Sequence, residues 1–146
     1  METTARFGDC DPAGLVYYPR FFEWFHDTFE STFAAIAGVP YNDVVMRDRV
    51  GFPAVNLAAE FKRPVRFGDR VQVEVFLSRL TERSATFEYR VRGESGLCAT
   101  ASVKVATMDM DGAGSAVFPE AIFRAFLPYV ESDDELPNAA RLRSGS

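Results

Sequence analysis

The residues able to do chemistry in this chain crowd toward its N-terminus. Asp9 and Asp11 stand two apart in Gly8-Asp9-Cys10-Asp11-Pro12-Ala13-Gly14, a run of turn-forming residue types. Asp11 precedes a proline, which drives its backbone into the extended region. Leu15-Val16-Tyr17-Tyr18 then leads to Pro19, a residue suited to the first position of a helix. Two carboxylates therefore sit just before a helix N-terminus, where unpaired N–H groups and partial positive charge gather. Such a helix end can hold an oxyanion, for instance one formed from a thioester or ester carbonyl. A carboxylate beside it can act as nucleophile or general base. The plainer reading is that Asp9 and Asp11 only cap turns.

His26 is the single histidine. It lies eight residues after Tyr18, about two turns on, and so on roughly the same helix face. It reads as an acyl contact or as a partly buried interface histidine. A Cys10–His26 nucleophile pair is conceivable but has no orienting third group, and Cys10 reads better as a small packing residue. Tyr17 with Phe21 or Phe22 could line an apolar acyl pocket. One His and two Cys cannot complete a Cys/His zinc site without carboxylates, so no metal is expected. No P-loop pattern occurs, and Gly112-Ala113-Gly114-Ser115-Ala116-Val117 reads as a turn. The charge sum of 16 − 21 = −5 argues against nucleic acid as a partner, while leaving room for a small anion at a local basic patch.

The elements that must position these groups follow from periodicity. Phe22, Phe25, Phe29, Phe33 and Ile36 step by three or four residues, which predicts a helix from Pro19 to Ala37 with one apolar stripe. Gly38 and Pro40 end it. Thr4 to Phe7 reads as a short strand and Ala54 to Phe61 as a second, stopped before Pro64. Strict alternation over Val71 to Leu77, Phe87 to Val91 and Leu97 to Val105 predicts three more, with a turn at Gly93 to Gly96. Pro119 to Tyr129 reads as a short final helix. Residues 1–130 form one expected domain, and 131–146 a polar tail. Four or five antiparallel strands with one long Phe-rich helix make an α+β domain. The opening Met1-Glu2-Thr3-Thr4 lacks the apolar core of a secretory signal, no apolar run reaches the roughly 20 residues of a membrane span, and two cysteines suit a reducing compartment. A cytoplasmic protein that makes no membrane contact is expected.

Asp9-Cys10-Asp11-Pro12-Ala13-Gly14, followed by an aliphatic pair, two aromatics and Pro19, resembles the 4-hydroxybenzoyl-CoA thioesterase family. Phe61-Lys62-Arg63-Pro64-Val65-Arg66-Phe67-Gly68-Asp69 also resembles that family's link between its second and third strands. The resemblance spans about residues 5–110. It implies the hotdog fold, a curved antiparallel sheet wrapped around one long helix. It implies hydrolysis of an acyl-CoA, with benzoyl or hydroxybenzoyl as first guesses. Coenzyme A is then part of the substrate and no cofactor is needed. By resemblance Asp11, not Asp9, matches the catalytic carboxylate. The Tyr18 backbone N–H matches the donor to the thioester oxygen. Arg83 and Ser84 match residues that contact the nucleotide end of coenzyme A. A histidine at position 26, where the 4-hydroxybenzoyl-CoA enzyme has an acidic residue, implies a different acyl substituent. Glu82, Gly114 and Ser115 depart from the family's basic pattern, which turns attention to Arg63, Arg66 and Arg79 for the phosphates. Family members are dimers or tetramers with sites between subunits, so a homo-oligomer is expected here. Two other classes remain open: a hotdog dehydratase or hydratase, and a non-catalytic acyl-binding module.

Overall fold

The computed structural model describes residues 1–131. The residues 132–146, nearly all of the expected tail, lie outside them. The long helix α1 runs Pro19–Ala37, about 28 Å at 1.5 Å per residue. Tyr18 is its N-cap and Pro19 its first residue; Gly38 closes it in the left-handed conformation (φ 71°), donating its N–H to the Ala34 carbonyl. This is the terminus glycine supplies without steric cost.

Five strands form the main sheet: β1 (Glu2–Thr4), β3 (Ala54–Phe61), β4 (Arg70–Leu80), β5 (Ser84–Gly93) and β6 (Gly96–Ala106), in the order β1-β4-β5-β6-β3. All neighbours are antiparallel. Register carries the predicted alternation across the sheet. Val73 sits opposite Val91 and Val91 opposite Ala99; Leu77 sits opposite Phe87 and Phe87 opposite Val103. All of these are buried, because one face of the sheet lies against α1. Phe25 stacks on Tyr89 at 4.9 Å between ring centroids, and Phe29 meets Phe87 edge-on at 5.3 Å. The opposite face is polar. Glu74 pairs with Arg90 at 3.0 Å and Arg92 at 3.2 Å, the Arg90 guanidinium lies 4.3 Å over the Phe76 ring, and Glu88 accepts from Ser78 and Ser102.

Three expectations need correction. The first strand is Glu2–Thr4 rather than Thr4 to Phe7; Phe7–Asp9 coils into a short 3-10 turn. Gly8 makes that run poor strand material, and the Asp9 carboxylate accepts the Arg6 N–H at 2.8 Å, which holds the turn. Along α1 the buried residues are Phe21, Trp24, Phe25, Thr28, Phe29 and Phe33, with Phe22 and Ile36 only half-buried. A curved sheet covers more of a helix than one narrow stripe. The final helix is divided: α3 (Glu120–Phe126) is followed by a 3-10 turn at Leu127–Tyr129, where Pro128 cannot donate to an α-helical ladder. The sequence reading also passed over a short helix α2 (Tyr41–Met46) and the pair β2 (Val50–Gly51) and β7 (Met108–Asp109). Segments this brief carry too few periods to register. None of the described helices is long and apolar enough to cross a membrane.

Candidate active site

The loop before α1 is a set of interlocked turns. Asp11 donates its N–H to the Leu15 carbonyl, and Gly14 donates to the Asp11 carbonyl. The Asp11 carboxylate accepts from the Ala13 N–H at 2.9 Å and the Leu15 N–H at 3.2 Å, both on Oδ1. Its Oδ2 has no hydrogen-bond partner among the described residues. The two aspartates are thereby distinguished: Asp9 caps a turn, while Asp11 is held rigidly by one oxygen and presents the other. Tyr17 N–H to Asp9 carbonyl and Val16 N–H to Val65 carbonyl, both 2.8 Å, pin the loop to the start of α1 and to the segment after β3.

The N-terminus of α1 leaves one donor at this place. Pro19 has no N–H. Arg20 donates to the Tyr17 carbonyl at 2.9 Å and Phe21 to the Tyr18 carbonyl at 3.1 Å. The Tyr18 N–H makes no hydrogen bond among the described residues. Asp11, Tyr17, Tyr18, Phe21, Phe61 and Arg63 line one cavity of about 510 Å³. Carboxylate, helix end and aromatic walls thus converge as the loop sequence suggested.

Phe22 and His26 lie elsewhere. With Phe29, Tyr41, Leu57 and Met110 they line a second cavity of about 490 Å³, on the other side of the helix's first turns. Tyr17 and Phe21 therefore belong with Asp11, and Phe22 does not. His26 Nε2 lies 2.9 Å from Glu30 Oε1, and Cys10 Sγ donates to the Arg6 carbonyl. The structure does not bring Cys10 and His26 together. Desolvation, and after it the Asp9 and Asp11 charges, push the Cys10 thiol above its ordinary pKa, the opposite of what a nucleophilic cysteine needs. Alkylation of Cys10 by iodoacetamide, followed by mass spectrometry, should lag behind a free thiol throughout about pH 7 to 9. A midpoint at or below that of free cysteine would contradict the geometry.

Arg83 and Ser84 occupy the far end of the sheet. Ser84 pairs with Ala106, whereas the Asp11 cavity adjoins Phe61, which pairs with Ala99. The separation along β6 is seven residues, about 24 Å at 3.4 Å per residue. Arg83 donates to Ser115 Oγ at 2.9 Å, and Ser84 Oγ shares a hydrogen bond with Thr81 Oγ1. Of Arg63, Arg66 and Arg79, only Arg63 lines the Asp11 cavity, with its guanidinium on the Ser95 carbonyl. Among the described residues no cluster of His, Cys, Asp or Glu could hold a metal ion.

Comparison with known proteins identifies the family and the fold. Residues 5–126 match a family model described as the thioesterase-like superfamily. A 1,4-dihydroxy-2-naphthoyl-CoA hydrolase from Prochlorococcus marinus is 26% identical over 131 residues, covering 85% of this chain and 86% of that protein. The crystal structure of a hypothetical protein from Thermus thermophilus is 30% identical, with a TM-score of 0.80 over 88% of this chain and 97% of that one. A 1,4-dihydroxy-2-naphthoyl-CoA thioesterase from Synechocystis shares the fold at a TM-score of 0.77 and 20% identity, covering 86% and 92%.

Proposed function

This chain belongs to the thioesterase-like superfamily, and we propose that it hydrolyses an aromatic acyl-CoA to the free acid and coenzyme A at the Asp11 cavity. It is a thioester hydrolase of hotdog fold. One observation carries the assignment of the site: a single cavity is lined by both Asp11, whose Oδ2 has no partner among the described residues, and Tyr18, whose N–H has none.

The thioester carbonyl would accept from the Tyr18 N–H, where the helix dipole favours the negative charge that develops on oxygen. Asp11 Oδ2 would then act in one of two ways. As nucleophile it bonds to the carbonyl carbon and the C–S bond breaks; coenzyme A leaves as thiolate and takes up a proton, and water hydrolyses the mixed anhydride. As general base it takes a proton from water, whose oxygen adds to the carbon before the same thiolate departs. Neither route calls on His26.

The two cavities suit a site shared between two copies of this chain. They lie on one face of the sheet, the first at the Phe61 end of β3 and the second at its Ala54–Leu57 end. This outermost strand shows exposed Val55, Leu57 and Phe61 side chains, at 57%, 44% and 48%. An isologous contact between two β3 strands running oppositely sets the Phe61 end of one against the Ala54 end of the other. A thioester at Asp11 of one copy could then place its acyl group in its partner's second cavity. The same contact brings the partner's Arg83 end toward Asp11, which relieves the distance that separates them within one chain.

The hydratase alternative needs a histidine beside a carboxylate, and His26 with Glu30 supplies one. His26 lines the cavity without Asp11, and Glu30 is not among that cavity's lining residues, so thioester hydrolysis remains the better-supported reading. The test is release of free thiol from benzoyl-, hydroxybenzoyl-, dihydroxynaphthoyl- and straight-chain acyl-CoAs. Aromatic thioesters should be cleaved with kcat/KM at least about tenfold above aliphatic ones. No release from any of them would sink the proposal.

A further inference from the structure

The tetrapeptide Arg-Phe-Gly-Asp occurs twice, as Arg6-Phe7-Gly8-Asp9 and as Arg66-Phe67-Gly68-Asp69. Both copies fold into turns closed in the same way. The aspartate carboxylate accepts the arginine N–H, at 2.8 Å in the first and 2.9 Å in the second. The aspartate N–H donates to the arginine carbonyl, at 2.9 Å and 3.0 Å. The turns are also joined to each other: Ala5 donates to the Asp69 carbonyl and Gly68 to the Ala5 carbonyl, both at 2.9 Å. Phe7 and Phe67 are left 82% and 59% exposed, their ring centroids 6.0 Å apart and their planes at 81°. Arg6 and Arg66 are exposed as well, and neither guanidinium enters an ion pair among the described residues. Phe67 donates its N–H to the Gly14 carbonyl at 2.9 Å, and Arg66 bridges to Leu15. The paired turns therefore adjoin the loop that carries Asp11.

We propose that these paired turns hold the nucleotide end of coenzyme A, with the adenine against the Phe7 and Phe67 rings and phosphate oxygens on the Arg6 and Arg66 guanidiniums. The proposal rests on the reading of an acyl-CoA substrate and adds a second binding site to it. Two perpendicular rings make a corner, in which a flat base stacks on one face and meets the other with its edge. A guanidinium offers paired N–H donors that match phosphate oxygens. On a chain of net charge −5, a polyanionic substrate is drawn in only by a local basic patch of this kind. Aspartate-capped turns are common connectors, and single exposed apolar side chains are ordinary. A connector role would be indifferent to the nucleotide. The turn Thr81–Ser84, singled out by resemblance, is the competing place for it.

The experiment measures binding of adenosine 3′,5′-bisphosphate and of coenzyme A by calorimetry, and kcat/KM on benzoyl-CoA against benzoyl-pantetheine, which lacks the nucleotide. Wild type is compared with the double variants Phe7→Leu/Phe67→Leu, Phe7→Tyr/Phe67→Tyr and Arg6→Gln/Arg66→Gln, and with Arg83→Gln. Thermal melts and light scattering check fold and assembly. Wild type should bind the bisphosphate and favour benzoyl-CoA by about tenfold or more. The leucine pair keeps apolar bulk but no ring face, and should weaken nucleotide binding by about fivefold or more, while the tyrosine pair keeps most of it. The glutamine pair should weaken binding and flatten its dependence on salt. In each case cleavage of benzoyl-pantetheine should stay within about twofold of wild type, since the variants leave Asp11 and Tyr18 in place. Equal loss on both thioesters, or loss of assembly in step with loss of binding, would overturn the proposal. Unchanged binding in the leucine and glutamine pairs beside a loss in Arg83→Gln would also overturn it, moving the nucleotide to that turn. Nucleotide binding that follows the predicted pattern without any thioester cleavage would uphold this site and fault the hydrolase reading instead.

Discussion

Phe33→Ala is expected to lower stability by about 3–5 kcal/mol, seen as an earlier midpoint in urea at fixed protein concentration. Phe33 is 1% exposed and sits where four elements converge. Its ring lies 5.9 Å from Phe29, 5.2 Å from Tyr41, 5.5 Å from Phe52 and 5.4 Å from Phe126. Alanine would leave a cavity bounded by three helices and the segment before β3, and close packing lets such a space collapse only in part. Tyr41 and Phe52 also border the second cavity, so the loss should loosen that wall too. Phe7→Ala serves as the contrast. Phe7 is 82% exposed with one described ring neighbour, Phe67, and its removal should cost less than about 0.5 kcal/mol. Equal effects from the two substitutions would mean that the aromatic core is misassigned.

Asp11→Asn is expected to reduce kcat by about 10²–10⁴-fold, with circular dichroism and assembly as in wild type. The amide oxygen can keep the hydrogen bonds from Ala13 and Leu15 that hold the loop. It cannot attack as a carboxylate or take a proton from water. Asp9→Asn should fall within a few fold of wild type, since an asparagine oxygen still accepts the Arg6 N–H that Asp9 serves. The contrast separates a shared charge effect, which would make both substitutions costly, from a reacting group, which makes only Asp11 costly. Comparable losses in the two variants would remove Asp11 from its proposed role.

How much of this was legible in the sequence depended on the length of the signal. The run from Pro19 to Ala37 repeats its apolar pattern over five turns, and the helix has those same bounds. Ala54–Phe61 and the alternating strands were readable for the same reason. The Gly51–Met108 pairing was not, because it joins two-residue strands that are far apart in sequence. The loop around Asp11 was legible as chemistry because proline, glycine and aspartate restrict the backbone locally. Which of Asp9 and Asp11 presents a carboxylate oxygen was decided by hydrogen bonds that only the folded loop shows. Periodicity put His26 on the helix face of Tyr18, yet the structure puts the two in different cavities. A face spans a wide arc, and the Phe21 and Phe22 side chains diverge around it. The place of Glu30 beside His26 depends on side-chain rotamers, which periodicity does not show.

Mixed dimers test the shared site most directly. Asp11→Asn removes the carboxylate of one copy, and Val45→Trp fills the second cavity, which Val45 lines from α2. Each variant alone should release little thiol from an aromatic acyl-CoA. Dimers purified through a different tag on each variant pair an intact Asp11 with its partner's open cavity at one of two sites, and should recover about half the wild-type rate. Mixed dimers as inactive as their parents would contradict the account, because a site completed within one chain cannot be rescued by its neighbour.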